Sequence, residues 1–308
     1  VDAGELAAIL RSPWATEALP PLVIVDPDGT DVAVPGSLPV VVAATAPAPW
    51  ADVILDDPAA IETVAATCER TAITAVSFVL LVRSGAWRSI ESGLVAESTT
   101  YSMLQGSPEF ARWRASRPVR DRGPEHGPPL RVARDGGLLR ITLDRAHVHN
   151  AFSPAMRDAL AEAFHLALLD DSIERVVLDG DGPSFCSGGD LDTFGTFPDI
   201  GTAHLTRLTR SPARLLAALA DRTEVHLHGA CLGAGIELAA FAHRVIADPG
   251  TRCGLPEVPL GLVPGAGGTV SLPRRIGPQR TVLLGLTGRP VDAETALRWG
   301  LVDAVAGR

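Results

Sequence analysis

No lysine occurs anywhere in the 308 residues, so every basic side chain apart from histidine is an arginine. Schiff-base catalysis through an ε-amine and a phosphate loop built around a lysine are both excluded. Cysteine is scarce. Cys68, Cys186, Cys231 and Cys253 are scattered, with no C-x-x-C pair. That usage fits a reducing compartment, where thiols pack as small apolar groups, and a cytoplasmic location is expected. Positive charge is also short. A net charge of −9 leaves no electrostatic footprint for nucleic acid or an anionic membrane. The longest apolar run, Ala72 to Val82, is too short to span a bilayer and reads as a core helix. The N-terminus shows neither a secretory nor a transit pattern.

What is present is apolar bulk and punctuated glycine. A hydrophobic content of 46% is ample for the core of one large or two modest domains. The most informative stretch is H-G-A-C-L-G-A-G-I-E at 228–237, which follows the alternation of Val225 and Leu227. A strand ends in glycines and an apolar helix begins. Glycine lets backbone approach a ligand, and the first helical turn offers unpaired N–H groups at the positive end of its dipole. An amide near Ala234 could hold an oxyanion, with Glu237 one turn further on. A tight strand–helix connection with an exposed glutamate fits this stretch equally well.

Two further blocks share the pattern. E-R-V-V-L-D-G-D-G-P-S-F-C-S-G-G-D-L at 174–191 gives a buried strand, a glycine-rich turn and an acidic residue. C-G-L-P-E-V-P-L-G-L-V-P-G-A-G-G-T at 253–269 contains Glu257, and G-L-T-G-R-P-V-D-A-E-T-A-L-R-W-G-L-V follows at 285–302. These four blocks, in order, resemble the crotonase family, the enoyl-CoA hydratase/isomerase superfamily, over roughly Leu130 to Val305. The resemblance implies an α/β fold with a crotonase-like ββα spiral core at 130–308. It also implies an acyl-CoA or enoyl-CoA substrate, with coenzyme A arriving as part of it and no permanently bound cofactor. A homo-oligomer, trimer or hexamer, is the expected assembly.

Matched position by position, the resemblance makes the backbone N–H groups of Ser187 and Ala234 an oxyanion hole. Glu237 would deprotonate water and Glu257 would protonate Cα. Arg145, His147, Val148, Gly189, Asp190 and Leu191 fall at coenzyme A-binding positions, Arg145 standing in for a basic residue common near His147. Phe194, Phe197 and Leu205 are expected along the acyl pocket. Hydratase is the leading activity because both glutamates are kept. An enoyl-CoA isomerase, an acyl-CoA hydrolase and a non-catalytic acyl-CoA-binding subunit are the alternatives. Cys186 reads as inert packing, and the pairs His147-x-His149 and His226-x-His228 lack the further ligands a metal site requires.

Residues 1–117 form a separate N-terminal region in this reading. Glu5 to Arg11 suggests a short helix, and Leu22–Val25 with Val32–Val34 a hairpin around Asp28-Gly29. Leu38–Ala44 and Val53–Leu55 suggest strands, and helical periodicity starts at Pro58. The stretches at 51–67 and 89–113 resemble the crotonase C-terminal helical segment, which in ordinary members follows the G-L-V motif. That order implies a circular permutation or a fused remnant of a second unit, against an unrelated helical domain. Residues 118–129, rich in proline, glycine and charge, read as the linker.

Overall fold

The computed structural model describes residues 1–12, 17, 19–118, 120 and 127–307, so nearly all of the expected linker lies outside the described residues. The chain opens with helix α1 (Ala3–Leu10) and strands β1 (Leu22–Val25), β2 (Val41–Ala44) and β3 (Val53–Ile54). Helices α2 (Pro58–Arg70), α3 (Ala72–Arg83), α4 (Ile90–Gln105) and α5 (Pro108–Ser116) follow. The second half runs β4 (Leu130–Asp135), β5 (Leu138–Leu143), α6 (Pro154–Leu169), β6 (Arg175–Gly180), α7 (Ile200–Thr209) and α8 (Pro212–Ala218). It continues with β7 (Thr223–Leu227), β8 (Ala230–Leu232), α9 (Ala234–Ala239), β9 (Arg244–Ala247) and β10 (Arg252–Gly254). It closes with α10 (Gly268–Ile276), α11 (Pro278–Thr287), β11 (Val291–Asp292), α12 (Ala293–Trp299) and β12 (Ala304–Val305).

Helix starts follow local chemistry. Asp57, Ser107, Ser153 and Ser211 each cap a helix whose first residue is proline. The cap oxygen accepts an orphan N–H, and proline fixes φ where its missing N–H costs nothing. The main sheet has the order β12-β9-β7-β6-β5-β4, parallel except for the β4–β5 hairpin. A smaller sheet, β11-β10-β8, stands beside it. Val176, Val177 and Leu178 of β6 are all buried, as expected of a parallel strand covered on both faces.

The N-terminal strands depart from expectation. Val32–Val34 forms no strand, and β1 pairs in parallel with β2, which pairs in parallel with β3. The turn at Asp28-Gly29 therefore begins a crossover rather than a hairpin. Val32, Leu38 and Val40 pack with Ala3 and Leu6 as a small core of their own. Arg83 fastens this sheet to α3. Its Nε lies 2.8 Å from Asp52 Oδ1, its Nη2 bonds Oδ2, and Asp52 also accepts from Val42 N at 2.8 Å.

Helices α2–α5 do not form a core of their own. Val64, Phe78, Val79, Leu104 and Phe110 share one apolar cluster with Val258, Leu262, Val282 and Leu286 of the second half. Through that shared core α4 is laid against α7 and α10.

Candidate active site

Two glycine-punctuated loops meet backbone to backbone. Cys186 N donates to Ala230 O at 3.1 Å and Leu232 N to Cys186 O at 3.0 Å. A Cβ on Gly188, which sits at φ +96°, would come within 3.1 Å of Leu232 O. The contact is thus backbone on backbone, which is why glycine is required there.

The structure corrects the oxyanion assignment. The Ser187 N–H donates to His149 O at 2.9 Å, so it cannot face a ligand. Among the described residues, the N–H groups of Gly189 and Ala234 donate to no protein acceptor, and both residues line one pocket. Ala234 is the first residue of α9, where an orphan amide is expected. The amide pair available to a ligand is therefore Gly189 with Ala234.

Glu237 and Glu257 line the same pocket, and both are buried. Glu237 Oε2 accepts from Ala266 N at 2.7 Å and from Gly268 N at 2.9 Å. Burial raises its pKa well above the ordinary value, Glu257 and Glu97 add to the rise, and the two amides oppose it. Glu257 Oε2 is buried with no protein partner. Its pKa is pushed up to about 8, burial being the main cause and Glu97 adding to it. Gly233, at φ 47° and ψ −123°, leaves room for it, since a Cβ there would lie 2.2 Å from Glu257 Oε1.

A third carboxyl comes from the N-terminal helices. Glu97 of α4 is 2% exposed and lines the pocket. Its Oε1 accepts from Gly267 N at 2.7 Å, while Oε2 accepts from Thr269 N at 2.8 Å and Thr269 Oγ1 at 2.7 Å. Successive amides of 266–269 thus alternate between two carboxylates: Glu237, Glu97, Glu237, Glu97. Burial raises the Glu97 pKa to about 7 against those donors. Sequence reasoning missed Glu97, although it lies in the stretch that resembles the family's C-terminal helices. It also missed Tyr101, the only tyrosine of the chain, and Arg207, which line the pocket too.

The expected nucleotide contacts divide. His147 is exposed, and Val148 and Leu191 are half-buried. Asp190 is buried and its Oδ1 accepts from Asp192 N at 3.3 Å. Arg145 departs from expectation, being 7% exposed and turned inward to Ala151 O and Asp190 Oδ2. Phe194 and Phe197 line the pocket, whereas Leu205 faces outward on α7 and is 61% exposed. Burial pushes the Cys186 thiol up to about 12, which leaves it a packing residue. The histidines have local partners: His149 Nδ1 lies 3.1 Å from Ser184 Oγ and His226 Nε2 2.6 Å from Glu224 Oε1.

The family model described as enoyl-CoA hydratase/isomerase matches residues 133–308, more than half of the chain. The peroxisomal bifunctional enzyme of Danio rerio is 40% identical over 165 residues, covering 54% of this chain and 22% of that protein. The 1,2-epoxyphenylacetyl-CoA isomerase of Escherichia coli K12 is 35% identical over 171 residues, covering 54% of this chain and 65% of that protein. The chain spans less than two thirds of the length of either relative. A solved structure described as a putative enoyl-CoA hydratase from Thermobifida fusca YX, in complex with CoA, is similar at 32% identity and a TM-score of 0.53. That similarity covers 58% of this chain and 72% of the other.

Proposed function

The chain belongs to the enoyl-CoA hydratase/isomerase (crotonase) family, and from that premise we propose that it adds water across the 2,3 double bond of an enoyl-CoA thioester. The observation that carries this reading is one pocket lined by two uncommitted amides, Gly189 and Ala234, and two buried carboxyl groups, Glu237 and Glu257. Addition of water to a conjugated thioester needs both pairs at once.

The amides hold the thioester oxygen as negative charge gathers on it, each donor being worth about 3 kcal/mol in a dry site. In this proposal Glu237 acts as the base, its two backbone donors opposing the rise that burial, Glu257 and Glu97 impose on its pKa. It takes a proton from water as the water oxygen bonds to Cβ and the π electrons move to the enolate. Glu257, held protonated near neutral pH by its raised pKa, delivers its proton to Cα. One proton is taken up and one released, so the pair is restored by exchange through solvent. His147 and Val148 remain the proposed contacts for the nucleotide part of coenzyme A, while Arg145 is withdrawn from that role by its inward bonds.

The N-terminal helices serve as the cover of the site in this proposal, in the manner of a circularly permuted C-terminal segment. The entry of Glu97 and Tyr101 into the pocket from α4 supports it. The test is incubation with enoyl-CoA esters, following loss of the conjugated thioester absorbance. Glu237→Gln and Glu257→Gln should each abolish hydration while coenzyme A ester binding survives. A double-bond shift without hydration would assign an isomerase, and release of free coenzyme A a hydrolase.

A further inference from the structure

The pocket wall holds one guanidinium for which the proposed hydration has no use. Arg207 of α7 lines the pocket, its Nε donating to Ser98 Oγ at 3.1 Å and its Nη2 to Ser102 Oγ. The guanidinium lies 4.8 Å from the centre of the Tyr101 ring. Among the described residues its Nη1 donates to no acceptor, and no carboxylate comes within ion-pair distance. The other pocket arginines differ, because Arg157 and Arg210 both pair with Asp158. Glu97 is the carboxyl that Arg207 feels through space, but its oxygens are taken up by Gly267 and Thr269. Burial lowers the proton affinity of Arg207, as for a cation without a full counter-charge.

Tyr101 repeats the pattern. Its ring is buried on α4, and its hydroxyl makes no hydrogen bond among the described residues. Apart from these groups the lining is largely apolar, with Leu94, Phe152, Phe194, Phe197, Leu208 and Leu238. A plain alkyl chain would fill that volume and leave Arg207 Nη1 and the Tyr101 hydroxyl without acceptors and the half-buried cation without a counter-charge, which is costly once water is expelled. A planar anion would accept from both and match the fork of the guanidinium.

We infer that Arg207 and Tyr101 form a subsite for a carboxylate on the far end of the acyl chain, so that the substrate class is a dicarboxylic acyl thioester of coenzyme A. This rests on the coenzyme A ester reading above, but not on the hydration step. Sites built to bond a polar group reject analogues that lack it far more strongly than apolar pockets reject a missing methylene.

The experiment is calorimetric titration of the whole protein with saturated pairs that cannot be hydrated: adipyl-CoA against hexanoyl-CoA, and glutaryl-CoA against pentanoyl-CoA. The expected result is affinity at least about tenfold higher for the carboxylate member of one or both pairs. Arg207→Met should erase that preference by weakening the dicarboxylic esters alone, and Tyr101→Phe should reduce it in the same sense. Equal affinities in the unaltered protein, or an equal loss for both members in Arg207→Met, would overturn the subsite while leaving the coenzyme A reading intact. Failure to bind any of the four esters would overturn both. A subsite confirmed in a protein that hydrates nothing would stand, and only the hydratase proposal would fall.

Discussion

Truncating Glu97 to alanine tests the arrangement at its weakest joint. The carboxylate gathers Gly267 N, Thr269 N and Thr269 Oγ1. The Thr269 hydroxyl can rotate to another acceptor, but the two backbone N–H groups are buried in place. Each unsatisfied buried donor costs about 1–3 kcal/mol, so Glu97→Ala, which strands two, should lower stability by roughly 2–6 kcal/mol. Relief from burying a carboxyl whose pKa is raised to about 7 offsets part of this as pH rises. The kinetic consequence is the sharper one. Gly268 N and Ala266 N, which hold Glu237, interleave with the amides that Glu97 holds, so the loop cannot relax without moving Glu237, the proposed base. A displacement on the order of 1 Å at a reacting group costs about a hundredfold in rate. The assays are urea unfolding followed by tryptophan fluorescence, and kcat on the best enoyl-CoA ester. Glu97→Gln should fall between, because its oxygen can still accept from Gly267 N and its amide can donate to Thr269 Oγ1. If Glu97→Ala kept its unfolding midpoint and its kcat, the interleaved loop would not be what positions Glu237.

Other consequences follow from the same contacts. Glu97, Glu237 and Glu257 all have raised pKa values, so the native state binds protons more tightly than the unfolded chain. The contribution of Glu97 and Glu257 is fully present below the ordinary carboxyl range and is lost as pH rises to about 8, with Glu237 acting in the same direction; stability measured in urea should fall across that window, with a smaller fall in Glu257→Gln. Gly233→Ala would place a Cβ 2.2 Å from Glu257 Oε1 at a positive φ, and should cost roughly 1–3 kcal/mol together with most of the activity, read by the same two assays. Asp52→Ala would leave Arg83 with carbonyl partners alone and should lower stability by about 3 kcal/mol in urea unfolding without changing KM, since that pair joins β2 to α3 away from the pocket.

The sequence was most legible where chemistry is local. The structure starts α5 and α6 at the cap-and-proline pairs Ser107-Pro108 and Ser153-Pro154, a signal carried by two adjacent residues. The glycine blocks mark the loops that meet at the pocket, because only glycine tolerates such close backbone contact. Ala234 at a helix start was legible for the same reason. Which amide of the other loop is free was not: the Ser187 N–H is consumed by His149 O, a partner set by the turn after β5. Arg145 read as a phosphate contact because its inward bonds to Ala151 and Asp190 exist only in the folded turn. Val32–Val34 alternated like a strand, yet parallel pairing of β1 with β2 depends on a crossover that no short window contains. Glu97, Tyr101 and Arg207 acquire their roles solely from α4 lying against α7 and α10.

The hydrogen bonds that Glu97 accepts from Gly267 and Thr269 bridge sequence separations of 170 and 172. A growing polypeptide therefore presents α4 to the cell long before the ribosome supplies the segment whose donors satisfy its inward acid. During that delay the helix must wait solvated or in the care of a chaperone. Completion of the pocket becomes a late event in biogenesis, and a translation product halted ahead of residue 267 would be a natural target for quality-control proteases.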